Sequence, residues 1–281
     1  MSSSCDPSQC GTLPECAGCA SNHNNSEAAP QKERTHQDIK KVFAVVSGKG
    51  GVGKSSVTAL LASAFRRHGY RVGVMDADIT GPSMPRMFGV KDPILGNGEK
   101  MLPQTTSTGI ELMSINLLLE SEDSPVIWRG PILGGVVQQF WDDVNWSHLD
   151  VMFLDMPPGT GDVPLTVFQS LPVDGIIVVT TPQDLVGMIV RKAVNMANMM
   201  NIPVLGLVEN MAYATCPDCG KKLYLFGEGK VEEEAKALGL PLLATLPVNP
   251  ATAALCDAGK IEMADVPEIE SAVSALEPLV K

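Results

Sequence analysis

The stretch from Val45 to Ser56, VVSGKGGVGKSS, constrains this chain more than any other, because it has the spacing of a phosphate-binding loop. An apolar run of strand length, VFAVVS (42–47), precedes the loop, and a helical stretch that Gly69 would end follows it. Glycines let backbone N–H groups approach an anion, and the helix N-terminus adds its positive dipole end. The sequence therefore predicts a nucleotide phosphate on Gly48, Lys49, Gly50, Gly51, Val52, Gly53, Lys54, Ser55 and Ser56.

Within this loop the two residues after Gly53 have distinct expected roles. Lys54 would neutralise the outer phosphates, and the Ser55 hydroxyl would supply an oxygen to Mg²⁺. The alternative is a glycine-rich turn that binds nothing. It is disfavoured because strand, Lys-Ser pair and helix all occur in the required order.

Further strand-length runs are apolar throughout instead of alternating with polar residues, which is typical of a parallel sheet covered on both faces. Helical stretches separate them. The predicted fold is α/β, a doubly wound, mostly parallel sheet with its ligand site at the carboxyl ends of the strands. The predicted strands are 42–47, 71–78, 149–156, 175–181, 204–210 and 242–247.

Three aspartates follow these apolar runs. Asp76 and Asp78 are two apart, so on one extended strand they would face the same side and share a pocket near the phosphates. Asp155 comes directly after an apolar run, the position of a carboxylate that holds Mg²⁺ through water. Strand-end capping or surface solvation is the simpler alternative for all three.

Composition limits the class of protein. Of 281 residues, 44% are hydrophobic and 19% charged, as in a globular protein, and the net charge of −11 disfavours nucleic acid as a partner. The start lacks a secretory signal, and no apolar run has membrane-spanning length, so we expect a cytoplasmic protein without a membrane partner. Residues 1–38 read as a flexible, Cys-rich N-terminal segment and 39–281 as the folded ATPase domain.

Six of the seven cysteines are closely spaced, which in a reducing compartment indicates metal or redox chemistry. Cys216 and Cys219, in TCPDCGKK, could hold one metal, with the remaining ligands from elsewhere in the chain or from a second copy at a two-fold axis. An unmetallated pair or half a zinc site is the alternative. We expect Cys256 to be a small buried residue. The N-terminal set could bind a 4Fe–4S cluster, zinc or nothing, and comprises Cys5, Cys10, Cys16 and Cys19.

The motif KGGVGKS resembles the deviant Walker A loop of the ATPase class that includes MinD, ParA, the arsenite-pump ATPase and nitrogenase iron protein. The resemblance implies that Lys49 reaches across a two-fold interface to the partner's nucleotide. It also implies that Asp78 orients the attacking water and that Asp76 lies near the metal. Asn210 and Pro247 would then lie at the adenine.

A narrower resemblance is to the Mrp family of iron–sulfur carrier ATPases, also called ApbC-type. It rests on WRGP, LDMPPGTGDV, VVTTPQ, VLGLVENM, CPDCG and LFGEG, in order between about residues 40 and 260. It implies a homodimer that binds ATP and Mg²⁺, bridges a 4Fe–4S cluster on Cys216 and Cys219 of each subunit, and passes it to apo-proteins. The N-terminal cysteines resemble those of the eukaryotic cytosolic scaffold members, except that Asn25 and Ser2 occupy two ligand positions.

Two other functions remain open from the sequence. A partitioning or positioning ATPase would use ATP-driven dimerisation to bind DNA or membrane, but such proteins usually carry a basic patch or a basic amphipathic helix. The tail here, ADVPEIESAVSALEPLVK, is acidic. A zinc-bound, nucleotide-dependent switch is the second alternative. The histidines, among them His68 and His148, have no ligand partner at helical spacing and are predicted to be solvated.

Overall fold

The computed structural model describes residues 38–281 except 79, 80, 82, 95, 97–99, 119–129, 160, 183–185 and 228. The predictions for the N-terminal segment, including those for Cys5, Cys10, Cys16 and Cys19, lie outside the described residues. The first strand begins at Ile39.

A twisted sheet of eight strands, ordered β10-β7-β6-β1-β5-β2-β4-β3, forms the centre of the described chain. Every neighbouring pair is parallel except β3 and β4, which are antiparallel at one edge. This confirms the predicted doubly wound, mostly parallel sheet. Its strands are β1 (Ile39–Ser47), β2 (Val72–Asp76), β3 (Gln104–Thr105), β4 (Glu111–Ser114), β5 (Leu149–Asp155), β6 (Gly175–Thr180), β7 (Val204–Glu209) and β10 (Leu242–Thr245), and a separate hairpin holds β8 (Ala214–Thr215) and β9 (Lys222–Leu223).

Helices cover both faces of the sheet. They are α1 (Lys54–Arg67), α2 (Met84–Phe88), α3 (Gly130–Asp142), α4 (Asp162–Ser170), α5 (Val186–Met199), α6 (Val231–Ala237), α7 (Pro250–Asp257) and α8 (Glu270–Val280). The start of α7 follows directly from sequence, because the Asn249 side chain accepts hydrogen bonds from the Ala251 and Thr252 N–H groups and Pro250 opens the first turn. No helix in the described ranges is long and apolar enough to span a bilayer.

Two cores, one on each face, explain why the strands are apolar throughout. On one face α3, α4, α5 and α6 pack on side chains such as Leu154 and Val178. On the other face α1, α2 and α8 pack on the alternate side chains. There the Phe153 ring lies 6.2 Å from Phe43 and 5.4 Å from Phe65, centroid to centroid, in edge-on geometry. Helix α1, which begins in the phosphate-binding loop, is thereby fixed to the two central strands.

The observed strands differ from the predicted ones mainly at their carboxyl ends. Strand β2 stops at Asp76 instead of residue 78, because the Asp78 N–H turns back to the Asp76 carboxylate. Strands β3, β4, β8 and β9 were not predicted. They have two to four residues each, too few for a hydrophobic period to be recognised.

His68 is exposed, as the sequence predicted, but its ring has partners that the sequence did not predict. At the end of α1 its ring lies between two carboxylates of α8, with Nδ1 2.7 Å from Glu277 and Nε2 2.8 Å from Glu270. The partners are 209 and 202 residues away in sequence, so no local pattern could reveal them. The hydrogen bond that the ring donates to Glu277, and after it the one to Glu270, raises the pKa of His68. His148 is also paired, at 3.0 Å from exposed Asp38.

We expect the His68 contact with α8 to stabilise the fold most in mildly acidic solution. A raised pKa in the folded state means that this contribution is fully present below the unfolded value and is lost as the pH rises through the folded one. His68→Ala should therefore lower the midpoint of thermal unfolding by about 1–3 °C at pH 5.5 and by less at pH 8.5. The measurement is circular dichroism melting at both pH values.

The control for this prediction is His148→Ala, which removes an exposed imidazole with a single carboxylate partner. It reports the general effect of losing such a ring. An equal loss of melting temperature at both pH values for His68→Ala would contradict the prediction.

Candidate functional site

The phosphate-binding loop adopts the backbone that its glycines allow. Gly51 and Gly53 have φ of 78° and 76°, in the left-handed region. A Cβ at position 53 would overlap the Asn210 side-chain amide, so glycine is needed there for close packing as well as for its conformation. The loop surrounds an open cavity of about 270 Å³, lined by Ser47, Gly50, Gly51, Val52, Gly53, Lys54, Ser55, Ser56, Asp78, Ser83, Met87 and Pro158.

Lys54, which lines this cavity, forms a buried ion pair with Asp155. The Lys54 Nζ lies 2.6 Å from Asp155 Oδ1, and their side chains are 6% and 0% exposed. The other carboxylate oxygen accepts a hydrogen bond from the Ser55 hydroxyl at 2.5 Å. Thr58, one turn further along α1, donates to Oδ1 at 2.9 Å. Sequence reasoning missed Thr58, although its position four residues after Lys54 on the same helix face was a usable signal.

The two oxygens of Ser55 and Asp155 fit a magnesium ion. Mg²⁺ prefers hard oxygen ligands from few protein groups and completes its shell with water and phosphate. Here the hydroxyl of Ser55, which lines the phosphate cavity, lies 2.5 Å from a carboxylate oxygen of the fully buried Asp155. The predicted magnesium ligands are therefore brought together.

Asp76 and Asp78 do not share one pocket as expected. Asp78 lines the phosphate cavity, with its carboxylate 3.8 Å from Lys54 Nζ. Asp76 is fully buried beneath it, where its carboxylate accepts from the N–H groups of Ser83 and Met84 at 3.1 and 3.3 Å. The strand ends between the two aspartates, so they no longer face the same way. Asp76 thus fixes the start of α2 and the segment that carries Asp78.

Burial, together with the neighbouring Asp155 carboxylate and against the opposing effect of Lys54, raises the pKa of Asp76 to about 8. Asp76 therefore holds a proton up to about neutral pH. In that form it adds no negative charge to the surroundings of Lys54.

A second, more apolar cavity of about 170 Å³ adjoins the loop at Ser56. Asn210 and Pro247, the residues that the resemblance places at an adenine, both line it. The Asn210 amide donates to the Val52 carbonyl at 2.9 Å, which ties this cavity to the phosphate loop. Its remaining lining was not predicted and comprises Leu60, Met211, Leu246, Val248, Asn249, Thr252, Ala253, Cys256 and Val266.

Cys256 is not the small buried residue that the sequence predicted. It is half-buried and lines this apolar cavity close to Ser56. Burial raises the pKa of its thiol, and a hydrogen bond with Ser56 opposes that effect. No signal in the sequence connects α7 with the phosphate loop, because the two meet only through the fold.

Lys49 is half-buried at the start of the loop, and its backbone carbonyl accepts from the Ser47 hydroxyl at 2.9 Å. The phosphate cavity, as far as the described chain lines it, includes neither Gly48 nor Lys49. Lys54 and Lys49 therefore differ in position: one points into the phosphate site of its own chain, and the other lies beside it.

Cys216 and Cys219 lie in the turn of the β8–β9 hairpin, as the predicted tight turn required. The Cys216 N–H bonds to the Lys221 carbonyl and the Gly220 N–H to the Cys216 carbonyl, both at 2.9 Å. Gly220 has a φ of 71°, which closes the turn. Hydrogen bonds from the Cys219 and Asp218 backbone lower the pKa of the Cys216 thiol. This geometry favours the thiolate, the form that binds metal.

The surroundings of the two thiols are open. The described residues contain no cluster of three or more His, Cys, Asp or Glu side chains placed to hold a metal ion. A run of large apolar side chains that are 43–60% exposed begins at the last residue of β9, Leu223, and continues through Tyr224 and Leu225 to Phe226. We call Leu223–Phe226 the apolar run.

Comparison with known proteins shows the family to which this chain belongs. The family model described as ParA: NUBPL iron-transfer P-loop NTPase matches residues 38–280. A protein of Clostridium perfringens named iron-sulfur cluster carrier protein is 47% identical over 90% of this chain and 92% of its own length. A protein of the same name from Methanocaldococcus jannaschii is 44% identical over 87% of this chain and 85% of its own.

Solved structures of other proteins are also similar to this chain. A nucleotide-binding protein of Archaeoglobus fulgidus in complex with ADP, with cobalt found, is 41% identical, with a TM-score of 0.77 over 88% of this chain and 96% of its own. The MinC:MinD cell division protein complex of Aquifex aeolicus is 18% identical, with a TM-score of 0.61 over 85% of this chain and 95% of its own, which is a likeness of fold alone. This chain belongs to the ParA family of P-loop NTPases, in the branch described as NUBPL iron-transfer P-loop NTPases.

Proposed function

We propose that this chain is an ATP-dependent iron–sulfur cluster carrier that works as a homodimer and delivers 4Fe–4S clusters to apo-proteins. One observation carries the proposal: a single chain of this family has both a complete phosphate loop and an exposed hairpin with two thiols. The pKa of one of these thiols, Cys216, is lowered, which favours the thiolate. The names of its relatives, at 44–47% identity, support the same reading. The cytoplasmic location stays a prediction.

ATP would occupy both cavities beside the loop. The base enters the apolar cavity at Asn210 and Pro247, and the phosphates lie along Gly50–Ser56. Lys54, which without nucleotide is paired with Asp155, turns its charge to the outer phosphates. Mg²⁺, when bound, neutralises charge on the phosphate oxygens.

Hydrolysis requires a water aligned with the terminal phosphate. Asp78 is the acidic side chain that both lines the phosphate cavity and approaches Lys54, at 3.8 Å, so we assign it the orientation of that water. Asp155 would contribute to the magnesium shell together with Ser55. Pro158, in the loop after β5, lines the same cavity, and the neighbouring Gly159 N–H bonds to the Ser47 carbonyl at 2.8 Å. That loop would report the terminal phosphate.

The cluster is the cargo of this cycle. Two thiolates, Cys216 and Cys219, supply half of the four ligands that a 4Fe–4S cluster needs. A second copy of the chain would supply the other half across a two-fold axis. The exposed apolar run Leu223–Phe226 beside the thiols supports this arrangement, because a contact between copies would remove it from water. Lys49, beside its own phosphate cavity, would reach the partner's nucleotide.

Lys49 and Asp78 allow a complementation test of the dimer. Each of Lys49→Ala and Asp78→Asn alone should reduce ATP hydrolysis by about 10²-fold or more. In a mixed dimer, the site with intact Asp78 receives Lys49 from the partner. An equimolar mixture, after subunit exchange, should therefore recover about a quarter of the wild-type rate, since about half of the dimers are mixed and each has one complete site. The measurement is phosphate release.

A Lys54→Ala partner is the control for this experiment. Mixed with Asp78→Asn it should restore nothing, because Lys54 and Asp78 serve the same site of one chain. Recovery in that mixture, or none in the first, would contradict the assignment of Lys49 to the partner's nucleotide.

Cys256 provides a probe of the apolar cavity proposed to bind the base, which we call the base cavity. In a chain that keeps Cys256 as its single cysteine, saturating ADP should slow alkylation by iodoacetamide about tenfold or more, because the base covers the thiol. Inorganic pyrophosphate, which fills the phosphate cavity without a base, should protect much less. Equal protection of Cys256 by ADP and by pyrophosphate would show that the base does not bind in this cavity. The same conclusion would follow if ADP, at a concentration shown to saturate, gave no protection.

The cluster itself is tested by iron and acid-labile sulfide analysis after anaerobic reconstitution of the full chain. Cys216→Ser and Cys219→Ser should each remove the bridging cluster and the dimer that depends on it, measured by light scattering. Cys256→Ser, the matched control, should change neither. Cys5→Ser reports separately on the N-terminal cysteines. Stoichiometric zinc without sulfide in the wild-type chain would favour the zinc-bound switch instead.

A further inference from the structure

One short segment, Asn210–Cys216, joins the candidate nucleotide cavities to the two thiols. It leaves the carboxyl end of β7 and enters the hairpin through β8. Its first residue lines the base cavity, and its last is a thiol of the hairpin. Any coupling between nucleotide and metal within one chain has its shortest covalent path here.

The nucleotide end of the segment packs directly on the phosphate loop. Asn210 donates to the Val52 carbonyl at 2.9 Å. Met211 has a φ of 58°, in the left-handed region that a residue with a side chain rarely adopts. Its Sδ-methyl lies over Gly53, and its side chain lines the base cavity. A bound base therefore contacts a residue that only its surroundings hold in this conformation.

The middle of the segment is fixed to a second wall of the base cavity. The Ala212 N–H bonds to the Leu246 carbonyl at 2.9 Å, and the Val248 N–H bonds to the Tyr213 carbonyl at 2.7 Å. Ala214 and Val248 pair as an isolated parallel bridge. Because Leu246 and Val248 also line the base cavity, a shift of that wall moves the segment with it.

The Tyr213 side chain connects the segment to the far strand of the hairpin. It is 5% exposed, and its hydroxyl donates to Glu268 at 3.2 Å. On the other side of the ring, the Lys222 ammonium lies 4.0 Å from the ring centroid. The Tyr224 ring meets it edge-on, with centroids 6.2 Å apart. Lys222 belongs to β9, so one buried ring holds the hairpin at an angle set by the main domain.

We propose that Tyr213 is a positioning residue through which occupancy of the base cavity sets the orientation of the Cys216–Cys219 hairpin. The inference rests on the proposed function for the identity of the ligands but concerns a different property, the response of the thiols to nucleotide. A base that displaces Met211 or the Leu246–Val248 wall shifts the Tyr213 backbone, and the ring transmits the shift to Lys222 and Tyr224. Tyr213 itself touches neither ligand.

The test measures how nucleotide changes thiol reactivity in metal-free protein. In the full chain with only Cys216 and Cys219 as cysteines, a non-hydrolysable ATP analogue with Mg²⁺ should change the rate of alkylation by N-ethylmaleimide roughly threefold or more. Tyr213→Leu should reduce that ratio to about one while the affinity for fluorescent ADP stays within about twofold. Tyr213→Phe keeps the ring and should keep most of the response. Tyr70→Leu is the matched control and should retain it fully.

Each result decides the proposal. An undiminished response in Tyr213→Leu overturns it, as does a loss of ADP affinity in that variant, which would make Tyr213 part of the nucleotide site. If Tyr213→Leu does not fold, Lys222→Met on the exposed hairpin replaces it, and an unchanged response there also overturns the proposal. If nucleotide does not change the alkylation rate in the parent chain, the proposed coupling is wrong. The proposed function is tested separately, by the iron and sulfide analysis, and would not be affected by that result.

Discussion

The buried ion pair between Lys54 and Asp155 is the interaction on which the rest of the site depends. It joins the first residue of α1 to the last residue of β5, at the centre of the sheet. Both side chains are almost completely buried, so each charge needs the other, and removal of one partner of such a pair costs about 3–5 kcal/mol. The pair therefore holds the phosphate loop in register with the strand ends. It also keeps a cation where the outer phosphates are to be bound.

Around this pair lie three carboxyl groups with different partners. Asp155 bonds to Lys54, Asp78 reaches the cavity, and Asp76 is buried against the backbone at the start of α2. Asp76 and Asp155 are equally buried, so their different roles come from the groups they contact. The pKa of Asp76 is raised because its carboxyl group is fully buried and lies beside the carboxylate of Asp155.

The chain separates two kinds of metal chemistry. Hard oxygens at Ser55 and Asp155 suit Mg²⁺, whereas the thiols on the hairpin suit softer metals and iron–sulfur clusters. The first site lies at the carboxyl ends of the central strands, and the second lies on an exposed turn. This division fits a carrier in which one site consumes nucleotide and the other releases cargo, connected through the segment that contains Tyr213.

The sequence by itself determined the phosphate loop, the parallel sheet and the thiol turn, because each depends on residues that are close together in the chain. Gly51 and Gly53 impose backbone conformation, apolar runs impose buried strands, and the Cys216–Gly220 spacing imposes a turn. Only the tertiary structure decided which distant groups meet. It placed Cys256 in the apolar cavity beside the phosphate loop and His68 between carboxylates of α8. Such contacts are set by how helices pack on the sheet, and sequence spacing carries no record of that packing.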